Sequence, residues 1–110
     1  VADYDLLVLP GGVKAMEKIR QDKRLINFIT NFHNEDKVIA CICSAAQLLI
    51  SAKVVKGRKI AGYYSMKDDL LNAGAIYTDL PAVEDDNIIT TAHYKDMGPW
   101  MKAVIQKLSK

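Results

Sequence analysis

Val38-Ile39-Ala40-Cys41-Ile42 is an unbroken apolar run. A strand with one wet face alternates apolar and polar residues. A run with no polar position reads instead as a parallel strand covered on both faces. Cys43 follows at once, and then Ser44-Ala45-Ala46-Gln47-Leu48-Leu49-Ile50 reads as a buried helix running to about Lys53. This strand, turn and helix unit commits the chain to helices packed on both faces of a mainly parallel sheet. It also sets a thiol at the turn, against the positive end of a helix dipole, which favours thiolate over thiol and points the sulfur out of the sheet. Cys43 is therefore the candidate nucleophile or oxidation sensor.

The rest of the chain agrees with an α/β sandwich. Asp5-Leu6-Leu7-Val8-Leu9 is a buried strand closed by the sharp loop Pro10-Gly11-Gly12. A short helix is expected over Val13 to Arg20. Asp22 is placed to cap a second helix, in which Leu25, Phe28, Ile29 and Phe32 recur at helical spacing until it frays near Asn34. Beyond the central helix, Gly57 turns the chain into a strand at Lys59-Ile60-Ala61. A helix over Ser65 to about Asn72 stops at Gly74, and Ala75 to Thr78 is a further strand. Pro81 to Glu84 and Ile88 to Thr91, joined by Asp85-Asp86-Asn87, read as a hairpin. A last helix sets Trp100, Met101, Val104, Ile105 and Leu108 on one face, as core or subunit contact, with Lys102, Gln106 and Lys107 facing out.

With 110 residues there is room for one core, and no repeat or linker divides the chain. A net charge of +2 calls for neither a nucleic-acid nor a membrane partner. No apolar run approaches the ~20 residues a bilayer span needs, and no signal-peptide pattern is present. Cys41 and Cys43 are too close to form a disulfide framework, which fits a reducing, cytoplasmic setting. The first residue is Val1, and a strand begins almost at once. The expectation is a start inside a domain, so that residues 1–110 form a single domain lacking its N-terminal part.

Four stretches together resemble the ThiJ/PfpI (DJ-one) superfamily, in its PfpI intracellular-protease-like branch. They are Tyr4 to Gly12, Lys37 to Ser51, Lys56-Gly57-Arg58-Lys59-Ile60 with Lys67 to Ala75, and Asn87 to Thr91 with the last helix. They cover nearly the whole chain in order. The resemblance implies a flavodoxin-like three-layer sandwich of the class I glutamine-amidotransferase-like kind, with Cys43 as nucleophile at an elbow. It implies an oxyanion hole from the backbone N–H groups of Ser44 and Gly12, and two amides converging on one point suit that task. It implies no cofactor or metal, and a homo-oligomer. Three departures stand out. Ser44-Ala45-Ala46 replaces the branch's His-Gly-Pro, so the base of a Cys–His pair is missing there. Ala92 stands where many relatives carry Arg. The family's acidic partner lies on a segment upstream of residue 5, which this sequence does not contain.

Other residues carry weaker signals. Cys41 reads as a small packed hydrophobe, and Cys-x-Cys alone is a poor zinc signal. His93 follows the last strand, where it reads as a surface residue unless it replaces the missing histidine. Gly11, Tyr63 and His93 are the candidate pocket residues, and Tyr64 replaces a proline common in the family. His33 is expected to be solvated at a helix end, Glu17 to face solvent, and Asp68-Asp69 to serve a helix start. Two functions follow. One is a cysteine-dependent hydrolase-like enzyme, either an intracellular peptidase or a glyoxalase or deglycase acting on reactive aldehydes. The other is a non-catalytic redox-sensing or chaperone-like stress protein in which Cys43 is oxidised.

Overall fold

The computed structural model describes residues 4–109, and Val1 lies outside them. Strands β1 (Leu6–Leu9), β2 (Val38–Ile42), β5 (Val83–Asp85) and β6 (Ile88–Thr91) form one sheet in the order β1-β2-β6-β5. Strands β3 (Lys59–Ile60) and β4 (Ile76–Tyr77) pair separately. The main ladder is parallel, with Leu6 opposite Val38 and Ile39 opposite Ile88, and only β5 runs antiparallel to β6. The helices are α1 (Val13–Ile19), α2 (Lys23–Asn34), α3 (Ala46–Ser51), α4 (Lys67–Asn72) and α5 (Met97–Leu108). This is the mainly parallel α/β sandwich that the sequence pattern anticipates.

Every residue of β2 is buried, as its lack of polar positions requires. Alternation then divides its side chains between two cores. Ile39 and Cys41, with Ile88 of β6, pack under α1 to α4. Val38, Ala40 and Ile42, with Ile89, pack under Trp100 and Val104 of α5. The Trp100 indole N–H donates to the Ile89 carbonyl at 3.1 Å, which fixes α5 across the sheet. Asp22 caps α2 as expected, its carboxylate accepting from the Arg24 backbone N–H at 2.9 Å.

Several boundaries differ from the sequence reading, each for a local reason. The central helix starts as a 3-10 turn over Cys43–Ala45, becomes α3 only at Ala46 and ends at Ser51. Lys53 ends it in a left-handed conformation, φ 61°, while the Val54 N–H closes back on the Leu49 carbonyl at 3.2 Å. β3 stops at Ile60 because the Ala61 N–H donates to the buried Thr90 hydroxyl at 2.8 Å instead of to a strand carbonyl. α5 does not bury its whole apolar stripe. Trp100 and Val104 are sealed, but Met101, Ile105 and Leu108 are exposed, as is Val8 on β1. No strand pairs with the outer edge of β1 among the described residues.

His33 is not simply solvated. It is half-buried at the end of α2, with Arg58 Nη2 at 3.5 Å from Nε2 and Asn87 Nδ2 at 3.4 Å from Nδ1. Asn87 is itself held by donating to the Lys37 carbonyl at 2.8 Å. Burial first, and the Arg58 charge second, hold the His33 pKa below its ordinary 6.5. The fold thus prefers neutral imidazole, whereas the unfolded chain takes up a proton at the ordinary value. The stability this preference supplies is complete above 6.5 and is lost as pH falls from there through the lowered pKa. Urea-denaturation midpoints measured from about pH 8 to about pH 5 are expected to fall more steeply for the wild type than for His33→Gln. Parallel curves would contradict this.

Candidate functional site

Parallel α/β sheets open their crevice at the carboxyl ends of the strands. Four chain segments meet there: Pro10-Gly11-Gly12 after β1, Cys43 after β2, Tyr63 beyond β3, and Ala92-His93 after β6. Ile42 leaves β2 extended, at φ −128° and ψ 141°. Cys43 then turns to φ 60°, a left-handed conformation rare for a residue with a side chain. Such a conformation costs roughly 1–2 kcal/mol and persists only when the surroundings impose it.

Gly11 is one of those surroundings. A Cβ at this position would stand 2.9 Å from the Ile42 carbonyl oxygen, 3.1 Å from the Tyr94 hydroxyl and 3.3 Å from Cys43 Cβ. Only a glycine lets the loop close this tightly on the cysteine, and its own φ of 97° adds a second reason. On the other side, the Tyr63 N–H donates to the Cys43 carbonyl at 3.2 Å. Cys43 is half-buried, and its sulfur lies 3.7 Å from the Ser44 hydroxyl.

Of the two residues expected to donate amides, Ser44 directly follows this cysteine, and Gly12 follows Gly11, which approaches it. Ser44 is the second residue of the 3-10 turn, a position whose N–H has no partner within the turn. Gly12 is exposed at φ 98° and ψ 109°, and a Cβ there would meet nothing closer than Ala15 at 3.9 Å. Gly11 therefore braces Cys43, while Gly12 leaves its backbone open to an incoming molecule. Cys41 behaves as expected of a packed residue. It is buried, and burial pushes its thiol far above the ordinary range.

An aromatic rim completes the site. The Tyr63 and His93 rings lie 6.2 Å apart, His93 and Tyr94 another 6.2 Å, and Tyr63 lies tilted against Tyr64 at 5.6 Å. The Tyr94 hydroxyl donates to the Pro10 carbonyl at 2.9 Å, tying the segment after β6 to the glycine loop. Sequence reasoning missed Tyr94. Its only signal there was an aromatic residue directly after His93, beyond the last strand. Ala92 is buried, so no basic group occupies that position.

A polar groove of about 230 Å³ borders Ser44 and is lined also by Glu17, Arg20, Gln47, Ser65 and Asp69. Glu17 is exposed, as expected, yet forms part of its wall. Asp69 lies in the first turn of α4, as expected, and lines the same groove. Arg20 joins α1 to α3 by donating to Ser51 Oγ at 2.9 Å and Gln47 Oε1 at 3.1 Å. Among the described residues no cluster of His, Cys, Asp and Glu is arranged to hold a metal ion, and no helix is long and apolar enough to cross a membrane.

The mainly parallel sheet with helices on both faces defines a flavodoxin-like α/β domain, with a left-handed cysteine at its central strand-to-helix turn. The chain belongs to the DJ-1/PfpI family, whose model matches residues 1–107. It is 38% identical over 106 residues to the protein named deglycase PfpI of Pyrococcus furiosus, a match covering 96% of this chain and 63% of that protein. It is 38% identical over 95 residues to protein/nucleic acid deglycase 2 of Escherichia coli, covering 86% of this chain and 55% of that protein. The fold superposes with a TM-score of 0.94 and 30% identity on a two-domain protein of Anabaena variabilis with DJ-1/ThiJ/PfpI-like and ferritin-like domains, covering 98% of this chain and 31% of that one. The chain thus spans less than two thirds of the length of these relatives.

If backbone strain sits at Cys43, relieving it should stabilise the fold. Cys43→Gly is expected to be more stable than Cys43→Ala by about 1 kcal/mol, because glycine accepts positive φ while alanine does not. Elsewhere on a chain, glycine is ordinarily the less stable of the two. Chemical denaturation of both variants decides it, and an equal or reversed order would show that residue 43 is unstrained.

Proposed function

We propose that this chain carries the cysteine-bearing part of an enzyme that acts on reactive carbonyl compounds, of the glyoxalase or deglycase kind. The observation that supports it best is Cys43 itself, held at φ 60° between the braced Gly11 and the Ser44 turn. The family and the deglycase names of its relatives point the same way. In this reading the Cys43 sulfur adds to the aldehyde carbon of a 2-oxoaldehyde. A C–S bond forms, and the carbonyl electron pair moves to oxygen, where the N–H groups of Ser44 and Gly12 hold it. A hydrogen shift to the neighbouring carbonyl leaves a thioester, and water releases the cysteine with a 2-hydroxy acid. Aldehyde and water balance the product with no external oxidant.

The proton carrier is assigned to a carboxylic side chain from outside residues 1–110, in an N-terminal part of the domain or in a second subunit. The outer edge of β1, which no strand pairs among the described residues and where Val8 is 43% exposed, supports a covering partner of that kind.

A second reading is favoured by Ser44, which leaves no histidine next to the cysteine. In it Cys43 is oxidised by a peroxide to sulfenic acid, and the protein serves as a redox-sensing or chaperone-like stress protein. Methylglyoxal consumption by the full-length wild type and by Cys43→Ser separates the two. The enzyme reading expects a 2-hydroxy acid from the wild type and a loss of at least about a hundredfold in kcat/KM for the variant. Equal rates, or no turnover in a verified full-length protein, would overturn it.

A further inference from the structure

His93 is the one imidazole on the rim of the cysteine site, and a backbone contact sets the tautomer of its neutral ring. It caps the 3-10 turn Tyr94–Asp96 that leads into α5, and its Nδ1 accepts the Lys95 backbone N–H at 3.0 Å. A nitrogen that accepts an amide N–H must present its lone pair. Neutral imidazole carries a single ring proton, so that proton sits on Nε2. The backbone of the cap thereby fixes the tautomer, and Nε2 is left as a donor.

The ring is held where that donor is useful. The register of β2 and β6 sets Ile42 beside Thr91, so the next residues, Cys43 and Ala92, leave the sheet side by side, with His93 one further on. The imidazole lies between Tyr63, whose N–H holds the Cys43 carbonyl, and Tyr94, whose hydroxyl holds the glycine loop at the Pro10 carbonyl. His93 thus sits beside both tyrosines of the cysteine site, with its capping nitrogen turned to the turn backbone.

We propose that His93 serves this site as a hydrogen-bond donor to the substrate oxygen through Nε2–H, and not as the base that its histidine chemistry first suggests. Acting as a base at Nε2 would require the proton on Nδ1, facing the Lys95 N–H and breaking the cap. The inference rests on the carbonyl-addition reading above. There the oxygen gains negative charge as the C–S bond forms, and a fixed donor at the rim adds to the two backbone amides. The nitrogen keeps its proton throughout, so a reaction that needs a proton removed must find it elsewhere.

The test uses the full-length protein and has an arm that needs no turnover. Long-range proton–nitrogen NMR of the neutral imidazole is expected to show the Nε2–H tautomer for His93. Carbamidomethylation of Cys43 with iodoacetamide then sets an amide carbonyl beside the ring, and the Nε2–H signal is expected to shift downfield. An Nδ1–H tautomer, or a signal that does not move, would overturn the inference even if no substrate is turned over.

In the catalytic arm, His93→Asn keeps a side-chain acceptor for the Lys95 N–H but removes the distal donor. It is expected to retain the wild-type melting temperature and lose about a hundredfold in kcat/KM for methylglyoxal, with the limbs of the pH profile unmoved. Unchanged kinetics would make His93 a cap alone, and a lost limb of the pH profile would make it a base; either result overturns the proposal. Wild-type inactivity towards methylglyoxal would sink the carbonyl reading instead, and the NMR arm would still decide the state of His93.

Discussion

The close approach of the Gly11 backbone to Cys43 is the contact on which the site depends. A strand that ends in extended backbone must turn sharply to start a helix, and here a residue with a side chain makes that turn at φ 60°. The strain is tolerable only because neighbours hold it. The Pro10-Gly11-Gly12 loop presses in from one strand, Tyr63 ties the Cys43 carbonyl from another, and Tyr94 clasps the loop from beyond a third. The sulfur is therefore displayed at a fixed point by segments that continue directly from strands of the structure. Rigid supports of this kind are what a site needs if donors are to be aimed before the reaction begins.

The two cores make those supports rigid. One face of the sheet packs under α1 to α4 and the other under α5, and β2 contributes to both. Cys41 and Cys43 show how position alone separates two identical residues. The first points into the larger core, where burial suppresses its ionisation, while the second sits just past the strand and stays half-exposed. The apolar flank of α5 and the outer edge of β1 are less well covered, which leaves that side of the domain suited to a further contact.

Much of this was legible in the residues. The apolar run of β2, the helix after it and the Pro-Gly-Gly loop are local patterns, and it is the family resemblance that joins Cys43 and Ser44 to the glycine loop without coordinates. What stayed hidden depends on contacts across the chain. Tyr94 becomes a site residue only because β6 lies beside β2 and brings it over Pro10. His33 looks like a solvated helix end until Arg58 and Asn87 fold against it. Glu17 and Asp69 belong to different helices that happen to flank Ser44. The last helix shows a related limit: helical periodicity identifies an apolar face but not how much of it packs into the core.

The central claim is that Cys43, and not Cys41, presents its sulfur to the outside from a fixed turn. Brief treatment of the native protein with iodoacetamide, followed by mass spectrometry of its peptides, measures this directly. The account expects the label on Cys43 alone, with Cys41 reacting only after unfolding. A native protein whose Cys43 resists the reagent, or in which both cysteines react alike, would contradict it.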